Sequence, residues 1–344
     1  MKNKIYLFMI IAVTLASCKK EGSKVVNHGS VIIVNEGGFQ HGDASISLYD
    51  PSAKVVTNNV FKSENNFSLG DVAQSLCMIG DTVFIVMNNS QNIVVADASQ
   101  NFKYLRSIAM TGASPRFFLP ISGSKAYVTD LYANKIWIIN YITGAIIGNI
   151  PVNGWTEQLI SSGGKVYITE KTVPTGSAIH KLLMIDPATD QVTGSLDFAS
   201  DPSSMALTDQ NKIFVLTSQQ SSPAVSASIY IIDLSSFSIE HKIDFNTSHT
   251  PACLRYSSFT HQLLYADNGI YAMAQTDTSL PASALITSNN WNVYGLNADP
   301  SNGDIYISDA LDYQQASRIM RYSGTGTLID AFNTGIITNG FIFR

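Results

Sequence analysis

Charge is scarce in this chain. Only 14% of its 344 residues are Asp, Glu, Lys or Arg, against 45% hydrophobic. That composition excludes disorder, which goes with few apolar residues and strong net charge. The formal charge is −5, and no basic stripe exists to neutralise phosphates, so nucleic acid is excluded as a partner. Enzyme signatures are missing as well. There is no HExxH, no GxSxG and no Walker loop. The six histidines (28, 41, 180, 241, 249 and 261) are scattered, and none stands at metal-ligand spacing from another. Cysteine is rare: apart from Cys18 there are Cys77 and Cys253, each inside an apolar strand-like run. Two such residues in an exported protein could pair, but buried small hydrophobes are the commoner fate. Low charge with abundant Ser, Thr, Asn and Gly suits an all-β extracellular protein.

What is present begins at the N-terminus. MKNK supplies a positive region, and IYLFMIIAVTL is an apolar run too short to span a membrane with these flanks. It ends in Leu15-Ala16-Ser17-Cys18, which resembles the lipobox of bacterial lipoproteins. The resemblance implies cleavage before Cys18, residues 1–17 being the signal peptide, and lipidation of Cys18. The competing reading is an ordinary signal peptide with a chance Cys. Loss of Lys2 and Lys4 takes the formal charge from −5 to about −7. Residues 18–28 then read as a lipidated Cys with a short polar tether, and residues 29–344 as the folded domain.

The rest is repetitive. KAYVTDLYANKIWIIN (125–140) holds two alternating runs with a polar break, which reads as two strands and a tight connection. Similar phrases are SVIIVNEGGFQHGDASISLYD (30–50), DTVFIVMNNSQNIVVAD (81–97), GKVYITEK with KLLMID, NKIFVLTSQ with SIYIID, QLLYADNGIYAMA and GDIYISDALDYQQASRIMRYS. Their spacing is roughly 40 to 53 residues, the range of four-stranded propeller blades. Six of the seven phrases follow a further strand: VAQSLCMI, PRFFLPI, TEQLISS, PSSMALT, PACLRYS and VYGLNAD. The first phrase lacks one, and the C-terminal TNGFIF has no phrase after it. The expected fold is therefore an all-β, seven-bladed β-propeller in which the last strand completes the first blade, leaving no open sheet edge. A β-sandwich or a stack of small domains is the alternative. Asp299-Pro-Ser-Asn-Gly-Asp304 lacks the downstream Glu of a calcium loop and reads as a turn between the first two strands of the last blade.

AYVTDLYANKIWIIN resembles the YVTN-type propeller repeat. With NEGGF, LGDVAQS, NNSQNIVV and SPRFFLP, the whole mature chain is similar to the YncE-like surface lipoproteins of Bacteroidetes. Some members of that group capture cobalamin at the cell surface and sit on a TonB-dependent transporter. The resemblance thus implies an outer-membrane lipoprotein, anchored by lipid, exposed at the cell surface and partnered by such a transporter. Lys19-Lys20-Glu21 is a partial match to the charged export signals of this group.

In a propeller, the connection after the second strand and the loop between blades open on one face. That topology places Asn35, Glu36, Asn88, Asn89, Asp130, Glu170, Lys171, Ser218, Gln219, Asp267, Asn268 and Asp309 around one mouth. Phe67, Trp155, His249 and Trp291 come from blade-to-blade loops, with Tyr132 and Tyr313 just beyond strand ends. Amides, a few carboxylates and aromatic planes suit a bulky, polar, uncharged ligand. The competing reading is structural, since Asn and Asp also favour tight connections through their own backbone bonding.

Three functions follow as expectations. The first is non-catalytic capture of a corrinoid or similar nutrient, with no cofactor. The second is a glycan- or protein-binding surface propeller. The third is a lactonase- or lyase-type enzyme using Glu36, Glu170 and a nearby His, for which no pairing is visible in the sequence. Cys77 and Cys253 fall on the inner strands of non-adjacent blades, so both are expected as free, buried thiols with no role at the mouth.

Overall fold

A computed structural model describes residues 29–173, 176–288 and 290–344. The signal peptide, Cys18, the tether and His28 lie outside the described residues. Seven four-stranded antiparallel sheets account for nearly all of the regular structure. Six use strands in chain order. The seventh, blade 1, takes three strands from the start of the chain and its innermost, Thr338–Phe343, from the end. That strand pairs antiparallel with Val31–Asn35, from Val31 opposite Phe343 to Asn35 opposite Thr338. The ring is closed as the unpartnered strands at the two ends required. Every blade strand lies within residues 31–343, so a chain starting at Gly29 retains the whole ring.

The second strands are apolar on both faces because each blade packs on two neighbours. In the second strand of blade 2, Val83, Ile85 and Met87 join Ile32, Val34 and Ile46 of blade 1. Phe84 and Val86, on the opposite face, join Phe118 and Val128 of blade 3. The pattern repeats around the ring, and each of the seven interfaces between blades has its own buried cluster. A strand buried on both faces reads as a continuous apolar run, so these strands are near-uniformly hydrophobic. Phe84 and Phe118 stack across one interface, with ring centroids 4.6 Å apart.

Two features lie outside the repeat. A six-residue helix, Val60–Asn65, follows the outermost strand of blade 1 and buries Val60 and Phe61. A small hairpin, Gln220–Ser221 with Ala224–Val225, rises from blade 5 between its second and third strands. Asp299 to Asp304 is the turn between the first two strands of blade 7, closed by Gly303 N–H to the Asp299 carbonyl at 2.8 Å. No group of three or more metal-binding side chains occurs among the described residues.

Candidate functional site

The polar residue that ends each second strand has a local task. Asp130 is fully buried. Its carboxylate accepts from Ser114 N–H at 3.1 Å, Tyr132 N–H at 2.8 Å, Ala133 N–H at 2.9 Å and the Trp137 indole N–H at 2.8 Å. Glu170 accepts from Asn153 and Gly154 N–H, both at 2.7 Å. Asp309 accepts from Asn292 N–H at 2.9 Å and Leu311 N–H at 3.0 Å. Asp267 binds the His249 ring and accepts from Thr250 N–H. Asn88 donates to Ser114 Oγ at 2.8 Å and to the Pro115 carbonyl at 3.0 Å. Asn35 donates to Ser47 Oγ at 2.9 Å and accepts from Thr338 Oγ1 at 2.6 Å. In blade 5 the buried Thr217 takes the place, accepting from Ser228 N–H at 3.1 Å. These side chains tie down loop backbone, inner strands and neighbouring blades, and their polar atoms are spent inside the fold.

The other mouth candidates differ in what they touch. Gln219 donates to the Thr247 carbonyl at 3.2 Å, and Asn89 donates to Asp71. Asn268 is exposed in a left-handed turn, with φ 56°. Trp291 packs into the cluster between blades 6 and 7 beside Tyr322, and Phe67 packs on Phe61 and Tyr104. Phe67 nonetheless stays exposed, as do Tyr132, 67% exposed and edge-on to Trp155 at 5.3 Å, and Tyr313, edge-on to Tyr294 at 5.8 Å. Glu36 and Lys171 meet charged or polar side chains from the middle of the ring.

That middle is built by a feature the sequence phrases did not disclose. All seven innermost strands carry a β-bulge near their start, one residue after the first paired residue in six blades and two residues after it in blade 4. The bulges fall at Gln74, Arg116, Glu157, Ser203, Cys253, Tyr294 and Asn339, one per blade. All seven line a single central cavity of about 350 Å³. A bulge re-aims a side chain that the strand pleat would otherwise assign elsewhere. Strain accompanies it: Cys253 stands at φ 57°, and the β-branched Val72 and Ile337, directly before two inner strands, stand at 61° and 54°. Cys253 thus lines the cavity, which corrects the expectation that this thiol lies away from the mouth. It is free, as is Cys77, and burial raises the pKa of each.

The ring is wired by charge. Arg116 Nε donates to Glu157 at 2.9 Å, and its Nη1 donates to Gln74. Lys171 Nζ lies 3.5 Å from the other Glu157 oxygen. Asn339 donates to the carbonyls of Ala73 at 3.1 Å and Gln74 at 3.0 Å, and reaches Glu36 at 3.4 Å. Burial lifts the Glu36 carboxyl above its ordinary range, opposed by a hydrogen bond from Tyr294 and the charge of Arg116. Burial also raises the Tyr294 phenol, reinforced by Glu36. Three histidines pair with carboxylates instead of sharing a site: His180 with Asp201 at 2.7 Å, His261 with Asp209 at 2.6 Å, and His249 with Asp267.

Residues Gln74, Arg116, Glu157, Tyr294 and Asn339 were legible only as strand content. The signal available was positional. In each inner-strand phrase a small, cyclic or β-branched residue is followed by a polar, aromatic or thiol residue, as in Ala73-Gln74, Pro115-Arg116 and Thr156-Glu157.

Residues 29–339 match the model of a family described as a domain of unknown function, DUF5074. The chain belongs to this family. No curated protein matches the sequence. Among solved structures, this DUF5074 protein is similar to a quinonprotein alcohol dehydrogenase-like protein from Bacteroides thetaiotaomicron. The TM-score is 0.70 at 15% identity, covering 93% of this chain and 79% of that one. It also resembles the WD40 domain of Neurospora crassa Pan2, with TM-score 0.60, 12% identity and coverage of 83% and 85%. A streptogramin B lyase aligns at TM-score 0.56 and 14% identity, over 75% and 82%. At such identities these likenesses establish the propeller fold and nothing about chemistry.

Proposed function

We propose that this DUF5074 propeller is a ligand-capture lipoprotein of the outer membrane. It is anchored through Cys18, exposed at the cell surface, and passes a bulky polar nutrient, a corrinoid in the first instance, to a TonB-dependent transporter. The observation that carries the reading is the central cavity, into which every blade sends one bulged side chain. A recess of about 350 Å³ is too small to enclose a corrinoid. Such a ligand lies over the mouth, its amide arms meeting Gln74 and Asn339 while Tyr132 and Tyr313 cover the ring from the rim. Support also comes from the wiring of Glu36 and Glu157. Each is already committed to neighbours within the ring, an arrangement that suits binding better than proton transfer.

The test is calorimetric titration of cobalamin into residues 29–344. Micromolar binding that weakens in Tyr132→Ala is expected. A flat titration removes the corrinoid from the proposal. A second reading, capture of glycans, is favoured by the exposed Tyr132 set edge-on to Trp155, since a bare aromatic plane stacks on sugar rings. A glycan array with hits lost on Tyr132→Ala would select it.

A further inference from the structure

Three cationic side chains, Arg116, Lys171 and Arg255, line the central cavity, against one carboxylate, Glu157. If Glu36, just behind Asn339 and Tyr294, is counted as ionised, one cation is still in excess. This is the reverse of the molecule as a whole, whose formal charge is −5. The cations also differ in how far they are engaged. Arg116 is held by Glu157 and Gln74. Lys171 stands off Glu157 at 3.5 Å, longer than a hydrogen bond of good geometry. Arg255 donates to the Leu254 carbonyl at 2.8 Å and meets no carboxylate among the described residues. Two under-engaged cations therefore face one recess from blades 4 and 6, with a third fixed beside them on blade 3.

We propose that the cavity is a binding site for a single-charged oxyanion, a carboxylate or phosphodiester group, gripped between Lys171 and Arg255 with Arg116 as its fixed wall. The guanidinium offers paired donors that match the two oxygens of such a group, and the ammonium adds a point charge. Glu157 sets the charge preference. Beside Lys171 it cuts the excess positive charge, so a monoanion is compensated at the site while a dianion would carry a charge left unpaired on desolvation. The inference rests on the mouth being a ligand site and is indifferent to whether the ligand is a corrinoid.

The experiment follows the arginine Nε–Hε resonances of ¹⁵N-labelled protein, residues 29–344, with Arg116 and Arg255 assigned from Arg116→Lys and Arg255→Lys. Sodium acetate and sodium dimethyl phosphate are titrated at constant ionic strength against sodium chloride. Arg255 and Arg116 should move and saturate with at least one oxyanion, while the exposed Arg318 does not. Acetate alone identifies a carboxylate site, dimethyl phosphate alone a phosphodiester site, and both an oxyanion site open to either. Lys171→Gln should weaken the saturating response roughly tenfold, the worth of one charge-assisted hydrogen bond. Glu157→Gln should strengthen it. Movements that never saturate, that chloride reproduces, or that Lys171→Gln leaves unchanged would overturn the proposal. The wild-type titration decides the matter by itself should a variant fail to fold. A site that binds acetate in a protein that ignores cobalamin would retain this inference and discard the corrinoid.

Discussion

At the scale of single residues, the same loops hold two kinds of side chain that their sequence does not separate. Asp130 and Tyr132 are two residues apart, yet Asp130 is buried with four N–H donors and Tyr132 is 67% exposed. Asp130→Ala strands those donors and should cost roughly 3 kcal/mol in urea unfolding. Tyr132→Ala should stay within about 0.5 kcal/mol, since it removes surface and strands nothing. Equal losses in both would mean that Asp130 does not serve as the tie described. Glu36 gives a second prediction, with an unusual sign for a carboxylate. Its folded pKa is raised, above all by burial. As pH rises past the ordinary Glu value, the unfolded chain loses this proton first, so stability falls until the folded carboxyl also ionises. Glu36→Gln keeps an acceptor for Tyr294 and Asn339 but has nothing to ionise. Its stability advantage over the wild type should grow from pH 4 upward and then level off. Urea midpoints across pH 4 to 8 measure this, and parallel curves for the two proteins would refute it.

At the scale of strands, the repeat was legible and the bulge was not. The phrase DTVFIVMNNSQNIVVAD announces two strands because alternation and polar breaks are local. A bulge is a relation between two strands. Nothing in Ala73-Gln74-Ser75 says that Ala73 will face Met87 and Ser75 face Val86, leaving Gln74 unpaired. The central site therefore stayed hidden, while Glu36 and Lys171 were placed at the mouth because strand ends can be counted. The unpartnered C-terminal strand was legible for the opposite reason, since an absence of pairing shows in the count of phrases. Closure leaves little room: a Cβ on Gly335 would lie 2.7 Å from Asn35 Cβ and 2.6 Å from Ser45 Oγ. Deleting residues 338–344 removes the innermost strand of blade 1 and bares the pairing edge of Val31–Asn35. The truncated protein should lose its soluble monomer peak in size-exclusion chromatography, because an open apolar edge recruits other chains. A monomer of wild-type stability would show that the last strand is dispensable.

At the scale of the whole molecule, a ring has no terminal unit. In open repeat arrays the end units have one neighbour and fray, and stability is a sum of nearest-neighbour terms. Here the interface between blades 7 and 1, with Ile33, Tyr306 and Phe341, is as buried as the interface between blades 1 and 2, with Ile85 and Val34. Ile33 and Ile85 are both fully buried. Yet Ile33 sits where the two ends of the chain meet and Ile85 within continuous sequence. If closure makes all interfaces equivalent, Ile33→Ala and Ile85→Ala should each cost about 2–5 kcal/mol, the range for emptying a packed aliphatic site. Both variants should unfold in one transition, followed identically by far-ultraviolet circular dichroism and tyrosine fluorescence. The alternative is a ring that unzips at its seam. Ile33→Ala would then open blade 1 in a separate early transition, while Ile85→Ala would keep a single one. The seam matters for function as well as stability, because Asn339, which lines the central cavity, lies on one side of it and reaches Glu36 on the other. A ring open at blade 1 would bind nothing at its centre, so in Ile33→Ala loss of ligand and loss of fold should coincide along the urea axis.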